Sequence, residues 1–338
     1  MLTSLKKHLR DSNDTLRSEF VIEILHSRKE VNLVNYSPLR YPGGKSKIAP
    51  LIRLIMEKAE ESRNIYIEPF AGGAGVALSL LIEGTVDQIV INDYDKAVYS
   101  FWRALKESPQ ELIRLIERTP LTIEEWKHQK NIYCTQNKKY SVELGFSAFY
   151  LNRTNRSGIL SAGPIGGYNQ TGNYSISARF NREALISRVQ EIAKYRSQIT
   201  VYNKEIRSFI NGIVPKYQEH AFVYFDPPYY ENGQRLYKNF FSPTDHFDIA
   251  QSIITGVNCP WVITYDDVPE LRKIYAGFEQ RQYNLNYSAA NKGKGSEIII
   301  FKSHDLLPSP DEVAPNHIRN TFPSFFCIAM LQSPPSII

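Results

Sequence analysis

Cysteine is scarce in this chain. Its 338 residues include three cysteines, Cys134, Cys259 and Cys327, which lie far apart in the sequence. No pair has the spacing of metal ligands, and an odd number of isolated cysteines excludes a disulfide framework. We therefore expect reduced thiols, as in cytosolic proteins, and no bound metal.

Long apolar runs are absent as well. No stretch reaches the roughly 18 consecutive apolar residues of a membrane-spanning helix, and the apolar segment 322–331 is too short. Residues 1–30 mix acidic and basic side chains and lack the apolar core of a signal peptide. These absences predict a cytoplasmic protein that does not enter a membrane.

Positive charge, in contrast, is concentrated in one segment. The net charge of the whole chain is only +5, yet residues 127–182 contain eight basic residues and a single acid, Glu143, with aromatic residues between them. Within this segment, residues 152–181 form a long polar stretch rich in glycine and asparagine. A basic, aromatic segment of this kind predicts a surface that binds phosphates and contacts bases. A solvated basic face is the alternative.

The most informative stretch is Asp226-Pro227-Pro228-Tyr229, which follows the apolar run 221–225. The run predicts a buried strand, and the prolines end it because they lack an N–H and have a fixed φ. Open α/β sheets bind ligands at the carboxyl ends of their strands. The loop offers a carboxylate, a carbonyl and an aromatic face, which suit the two N–H groups and the ring of an exocyclic amine on a base. An ordinary proline turn is the alternative.

A glycine turn, Tyr41-Pro42-Gly43-Gly44-Lys45, precedes a predicted helix over 48–61. It is not a P-loop, because position 39 is Leu where that motif requires glycine. We interpret it as a turn that approaches a ligand closely, with Lys45 providing positive charge. A turn that merely leads into the helix is the alternative.

A second glycine segment, residues 64–75, has the pattern strand, glycine loop, helix. It contains Glu68, Phe70, Gly72 and Gly73, and its glycines do not have the dinucleotide-binding spacing. A ligand that needs a close backbone and carboxylates, rather than a pyrophosphate cradle, fits this loop better.

Two polar residues end the next two predicted strands. Asp93 follows the strand at 88–92, where an acid is placed to accept hydrogen bonds from ribose hydroxyls. The alternative for Asp93 is to cap the following helix. Asn203 follows the strand at 199–202 and is a candidate to face an adenine ring.

Together these motifs resemble the N6-adenine DNA methyltransferases, and the amino-terminal half resembles their Dam-type, alpha-class branch. The resemblance extends over most of the chain and implies S-adenosylmethionine as methyl donor and an adenine flipped out of double-stranded DNA as acceptor. The catalytic residues that it implies are Asp226, Pro227, Pro228 and Tyr229. The cofactor-binding residues that it implies are Tyr41, Gly43, Gly44, Lys45, Glu68, Phe70, Gly72, Gly73, Asp93, Asn203 and Asp226.

The recognition loop departs from the Dam-type pattern. Those enzymes have Asn-Gly followed by a basic residue, whereas this chain has Ser157-Gly158-Ile159-Leu160-Ser161. The GATC target of that branch is therefore not carried over. The DNA-binding residues that we predict are Asn152, Arg153, Asn155, Arg156, Lys292 and Lys294.

Strands that alternate with helices predict a doubly wound, mostly parallel sheet, a Rossmann-like methyltransferase fold, with an inserted, mainly helical recognition domain. We divide the chain into an amino-terminal extension (1–36), a catalytic domain (37–104 and 186–303), a DNA target-recognition domain (105–185) and a carboxyl-terminal tail (304–338). A monomer in the cytoplasm of a bacterium or phage-infected cell is expected, with a cognate restriction endonuclease as a candidate partner.

Two other functions stay open. A non-catalytic DNA-binding protein that senses S-adenosylmethionine does not need the rigid acceptors of the Asp226 motif. The same chemistry on RNA or a protein amide is the other, although relatives that modify glutamine have Asn in place of Asp226.

Overall fold

The computed structural model describes residues 35–40, 45–59, 63–136, 138–231, 241–283 and 297–309, together with Glu312. In this part of the chain the strands form one seven-stranded sheet. The strands are β1 (Ile65–Glu68), β2 (Gln88–Asn92), β3 (Ile199–Tyr202), β4 (Ala221–Phe225), β5 (Trp261–Asp266), β6 (Glu279–Tyr283) and β7 (Glu297–Phe301). β1, β2, β3 and β4 lie in segments that the sequence predicts to be strands.

The strand order across the sheet is β3-β2-β1-β4-β5-β7-β6. Strands β1 to β5 are parallel, and β7 runs antiparallel between β5 and β6. The predicted mostly parallel sheet is therefore confirmed. From β1 the chain builds outward through β2 and β3, then returns to place β4 on the other side of β1. A crevice opens at such a switch point, outside the carboxyl ends of the strands.

Helices cover both faces of the sheet, because each strand alternates its side chains between two apolar layers. In β1, Tyr66 packs in one layer and Ile67 in the other. In β4, Phe222 and Tyr224 face the first layer, and Val223 and Phe225 face the second. A sheet buried on both faces needs apolar residues at every position, which explains the unbroken apolar run of β4.

Ten α-helices are present in the described residues. They are α1 (Ala49–Lys58), α2 (Gly75–Ile82), α3 (Lys96–Glu107), α4 (Pro109–Arg118), α5 (Ile123–Thr135), α6 (Val142–Thr154), α7 (Arg182–Ala193), α8 (Ile206–Gly212), α9 (Pro243–Gly256) and α10 (Pro269–Ile274). The mainly helical segment between β2 and β3 therefore agrees with the inserted region that the sequence predicts.

Helices α3 and α6 pack closely in that segment. A Cβ atom added at Gly145 in α6 would lie 2.6 Å from the backbone of Ser100 in α3, so the glycine allows the two helices to approach. The predicted domain boundaries at 104/105 and 185/186 fall inside α3 and α7. The helices thus continue from one predicted unit into the other, and the division itself stays a prediction.

Candidate active site

Three carboxylates lie at the carboxyl ends of three neighbouring strands. Glu68 ends β1, Asp93 follows β2, and Asp226 follows β4. Because β2, β1 and β4 are adjacent, the sheet brings these side chains to one edge, at the switch point. Lys45 approaches the same edge, with its Nζ 3.7 Å from Oδ1 of Asp226. Lys45 and Asp226 therefore meet in space, although they lie far apart in the sequence.

Asp226 is held by a short chain of hydroxyl groups. Thr264 Oγ1 donates to Asp226 Oδ1 at 2.9 Å, and the Tyr224 hydroxyl lies 2.7 Å from the same threonine oxygen. Burial raises the pKa of Asp226 to about 6, while the positive charge of Lys45 opposes this and Glu297 adds to it. The carboxylate is therefore ionised at neutral pH and gains a proton when the pH falls below its pKa of about 6.

Lys45 is buried in a network of acidic and phenolic groups. Its ammonium donates to Glu297 Oε2, to the Tyr283 hydroxyl at 3.0 Å and to the Tyr229 hydroxyl at 3.3 Å. The Tyr229 hydroxyl in turn donates to Glu297 Oε1 at 2.9 Å. Both oxygens of Glu297 thus accept hydrogen bonds, Oε2 from Lys45 and Oε1 from Tyr229. This carboxylate links Lys45 to Tyr229 of the loop that contains Asp226.

The loop after β4 is stiffened at both ends. Pro227 and Pro228 are buried, and Asp266 at the end of β5 accepts the backbone N–H groups of Tyr230 at 2.8 Å and Glu231 at 2.9 Å. Within the described residues, no donor hydrogen-bonds the carbonyl of Pro227. A rigid carboxylate and an available carbonyl therefore stand side by side, next to the partly exposed Tyr229 ring.

The second glycine loop is shaped by backbone contacts. Gly72 has a φ of 45°, in the left-handed region that favours glycine, and its N–H donates to Asp93 Oδ2 at 3.0 Å. Its carbonyl accepts from Nε1 of Trp102 at 2.9 Å, and the Gly73 carbonyl accepts from the Ser37 hydroxyl at 2.5 Å. These contacts fix the path of the loop between β1 and α2.

Asp93 holds this loop and the start of α3. Its other oxygen accepts from the backbone N–H of Asp95 at 2.9 Å, whereas the cap of α3 is Asp95 itself. Burial raises the pKa of Asp93 to about 7, and Asp95 raises it further. Asn203 donates to the carbonyls of Asp93 at 2.7 Å and Tyr94 at 3.0 Å. In this structure Asn203 thus orients the Asp93 backbone.

Glu68 is the most deeply buried of the three carboxylates. It accepts from the backbone N–H of Ala77 in the first turn of α2 at 3.1 Å. Burial raises its pKa to about 8, although this hydrogen bond opposes the rise. Phe70, two residues on, is half-buried and packs edge-on against Phe241, with ring centroids 6.0 Å apart.

Three of the predicted DNA-binding residues are buried instead. Asn152 accepts a hydrogen bond from the backbone N–H of Arg40 and donates one to its carbonyl. Asn155 accepts a hydrogen bond from the indole N–H of Trp126 and donates to two carbonyls of its own loop. In this structure both asparagines thus shape the recognition loop, and their contact with DNA stays a prediction. Arg153 is also buried, and Arg156 is exposed.

Five other predicted residues lie outside the described part of the chain. They are Tyr41, Gly43, Gly44, Lys292 and Lys294.

Sequence reasoning missed the residues of β5, β6, β7 and α3 that support the site. The strongest available signal was Glu297, an acid at the start of the otherwise apolar run of β7, since a buried carboxylate in such a strand requires a partner. The supporting residues that were not predicted are Thr264, Asp266, Tyr283, Glu297 and Trp102.

In the described residues no group of three or more histidine, cysteine, aspartate or glutamate side chains is arranged to hold a metal ion. Nor does any helix in those ranges have the length and apolar character needed to cross a membrane.

The model of the D12 class N6 adenine-specific DNA methyltransferases matches residues 41–288, which include Lys45, Glu68, Asp93 and Asp226. The chain belongs to this family. It is a methyltransferase, and the predicted resemblance to adenine-specific DNA methyltransferases is confirmed.

Two individual relatives agree with the family. The type II methyltransferase M1.LlaDCHI of Lactococcus lactis is 26% identical over 209 residues, which cover 59% of this chain and 67% of the relative. The type II methyltransferase M.MjaIII of Methanocaldococcus jannaschii is 26% identical over 205 residues, or 56% of this chain and 68% of the relative. Among solved structures, the rRNA methyltransferase AviRa of Streptomyces viridochromogenes covers 84% of this chain and 98% of its own, at a TM-score of 0.39 and 11% identity. That likeness is too low to support a functional argument.

Proposed function

We propose that this D12-class enzyme transfers a methyl group from S-adenosylmethionine to N6 of an adenine that has been flipped out of double-stranded DNA. The observation that carries the proposal is the joint position of Asp226, the Pro227 carbonyl and Tyr229 at the switch point of the sheet, beside Lys45.

The residues of the crevice fit the proposed cofactor. S-adenosylmethionine, when bound, supplies a methyl group on a positively charged sulfur. Among the described residues, Asp226 and Glu297 place two carboxylates next to the ammonium group of Lys45. A sulfonium therefore suits the site electrostatically. The left-handed turn at Gly72 gives close access to backbone, and Asp93 beside it has lone pairs for ribose hydroxyls.

The acceptor side of the site suits an exocyclic amine. Asp226 accepts a hydrogen bond from one N6–H of the adenine, and the Pro227 carbonyl accepts the other. These acceptors draw the N6 lone pair out of conjugation with the ring and direct it towards the methyl carbon. Tyr229 stacks on the base, an interaction worth about 1–3 kcal/mol. The proton that N6 loses passes to Asp226 or to solvent, and positioning with electrostatics accounts for most of the rate.

Base flipping follows from the depth of the acceptors. Asp226 is partly buried, and Thr264 behind it is fully buried, so an adenine within the duplex does not reach them. Enzymes that modify a base extrude it from the helix for this reason. Arg156, exposed on the loop after α6, is the predicted residue best placed to meet the duplex.

The decisive experiment compares Asp226→Ala with the exposed control Asp305→Asn. Labelled methyl transfer to duplex DNA and S-adenosylmethionine binding by calorimetry are measured for both variants. We expect Asp226→Ala to bind the cofactor but to form no N6-methyladenine, whereas the control behaves as wild type. Ordinary transfer by Asp226→Ala would exclude the mechanism. Specific DNA binding without transfer by the wild type would instead favour a non-catalytic protein that senses the cofactor.

The proposed cellular role is based on the two relatives. Both are type II methyltransferases, the modification class of restriction-modification systems. We propose that this enzyme protects DNA in a bacterial or phage-infected cytoplasm as a monomer, with a cognate endonuclease as partner. Expression in a methylation-free host followed by mapping of N6-methyladenine identifies the target sequence and tests this role.

A further inference from the structure

Arginine side chains from three parts of the chain converge on the short segment Ser37–Arg40. Arg153, in α6, donates from Nε to the carbonyl of Pro38 at 2.6 Å. Arg188, in α7, donates from Nη1 to the carbonyl of Ser37 at 3.1 Å. Arg40 belongs to the segment itself, and Asn152 holds its backbone at both the N–H and the carbonyl. The guanidinium groups of Arg153 and Arg188 are thus anchored by backbone carbonyls rather than by acids.

The charge of this cluster is not balanced within the described residues. Neither Arg40, Arg153 nor Arg188 forms an ion pair there, and neither does Arg179, whose charge acts on Arg40. Only 8% of Arg153 is exposed, and Nη1 of Arg40 is buried with no hydrogen-bond partner. Burial lowers the pKa of Arg153 to about 9, and the neighbouring charges of Arg188 and Arg40 lower it further.

Such an arrangement is unfavourable without an anion. Buried charges require partners, and like charges held together destabilise the fold. Guanidinium groups present planar sets of N–H donors that match the oxygens of a phosphate, often through two parallel hydrogen bonds. A tetrahedral oxyanion with several acceptor oxygens would satisfy the donors that the protein leaves unused.

The cluster lies between the crevice and the recognition loop. The Ser37 hydroxyl donates to the Gly73 carbonyl of the second glycine loop. On the other side, a Cβ atom at Gly158 would lie 2.6 Å from the Arg40 carbonyl, so the recognition loop packs directly on this segment. An anion bound here would therefore lie at the border of the catalytic and recognition parts of the enzyme.

We propose that Arg40, Arg153 and Arg188 form a binding site for one backbone phosphate of the DNA substrate. The proposal rests on the proposed function and adds a contact that the sequence did not assign to Arg40 or Arg188. DNA is preferred to the cofactor carboxylate as the source of the anion, because two of the arginines come from α6 and α7 of the helical segment between β2 and β3, and three cations exceed what one carboxylate requires. The site fixes the register of the duplex without reading its sequence.

The test measures DNA affinity as a function of salt for Arg40→Gln, Arg188→Gln and Arg188→Lys. Arg196→Gln, an exposed arginine on the chain after α7, is the matched control. We expect Arg188→Gln to weaken binding about tenfold, equally for all sequences, and to reduce the salt slope by about 1. Arg40→Gln should act in the same direction, Arg188→Lys should restore part of the slope, and the control should leave it unchanged.

Three results would overturn the proposal. One is an unchanged salt slope in both glutamine variants, with wild-type DNA binding intact. Another is a raised KM for S-adenosylmethionine with unchanged DNA affinity, which would assign the cluster to the cofactor carboxylate. The third is a loss confined to one target sequence, which would make the arginines base contacts. Failure of the wild-type enzyme to bind or methylate any DNA would instead disprove the proposed function itself.

Discussion

Lys45 and Glu297 should shift the pH dependence of methyl transfer in opposite directions. Asp226 must be ionised to accept a hydrogen bond from N6, so activity falls as the pH drops through its pKa of about 6. Lys45 lowers that pKa and Glu297 raises it. Replacing the lysine by methionine therefore raises the pKa of Asp226, and replacing the glutamate by glutamine lowers it.

The size of the shift follows from the geometry. At the 3.7 Å that separates Lys45 Nζ from Asp226 Oδ1, two unit charges interact by about 4.5 kcal/mol at an effective dielectric constant of about 20. Glu297 contacts the same ammonium more closely and cancels much of this attraction. We therefore expect the acidic limb of the profile to rise by about 1–2 pH units in Lys45→Met. In Glu297→Gln the uncompensated lysine should lower it by a smaller amount.

The assay is kcat/KM for methyl transfer to duplex DNA between pH 5 and 9, with Lys216→Met, an exposed lysine, as control. Near-ultraviolet circular dichroism confirms that each variant is folded. Acidic limbs that move in the same direction in the two variants would refute the electrostatic argument. A displacement of Tyr229 alone would shift the limb in a direction that does not depend on whether a positive or a negative charge was removed. An unmoved limb in a folded Lys45→Met variant would show that Asp226 is not the group that titrates.

Three further predictions concern stability and cofactor binding. Glu68 titrates near pH 4.5 when exposed and near pH 8 when buried, so the folded state retains a proton and loses stability as the pH rises through that window. Glu68→Gln should reduce the fall of Tm between pH 5 and 8, which thermal scans measure; an unchanged fall would contradict it. Asn155→Ala should lower the free energy of unfolding by about 2–3 kcal/mol, measured in urea, because it leaves the buried Trp126 indole and two carbonyls unpaired. Trp102→Phe removes the hydrogen bond to Gly72 and should raise the KM for S-adenosylmethionine several-fold with little change in kcat, whereas a fall in kcat alone would argue against this role.

The placement of Lys45 shows why a motif can be found in sequence while its contacts cannot. Its glycine turn and its charge were visible, and they indicated a ligand. Its neighbours Tyr229, Tyr283 and Glu297 come from segments that are 184 to 252 residues away in the chain. Sequence spacing contains no information on pairs so distant, because the order of the strands in the sheet decides which of them meet.

Asn152 near the end of α6 and Asn155 just after it show that composition alone does not reveal which polar residues are buried. Composition marked the segment 152–181 as basic, polar and rich in glycine, and a DNA surface was the natural interpretation. In the fold, Asn152 and Asn155 hydrogen-bond buried backbone groups. An unpaired buried backbone group destabilises the protein by more than a surface hydrogen bond stabilises it. Burial is a property of the packed chain, so composition alone did not separate these asparagines from the exposed Arg156.

By itself the sequence determined four strands of the sheet, its mostly parallel order, the Asp226 motif and the family, because these depend on local apolar patterns and on prolines and glycines that restrict the backbone. Only the tertiary structure decided that Glu297 holds Lys45 against Asp226 and that Arg153 and Arg188 bond the backbone of one short segment beside Arg40. Those features depend on distances between remote parts of the chain and on the low dielectric of the interior, and folding alone creates both.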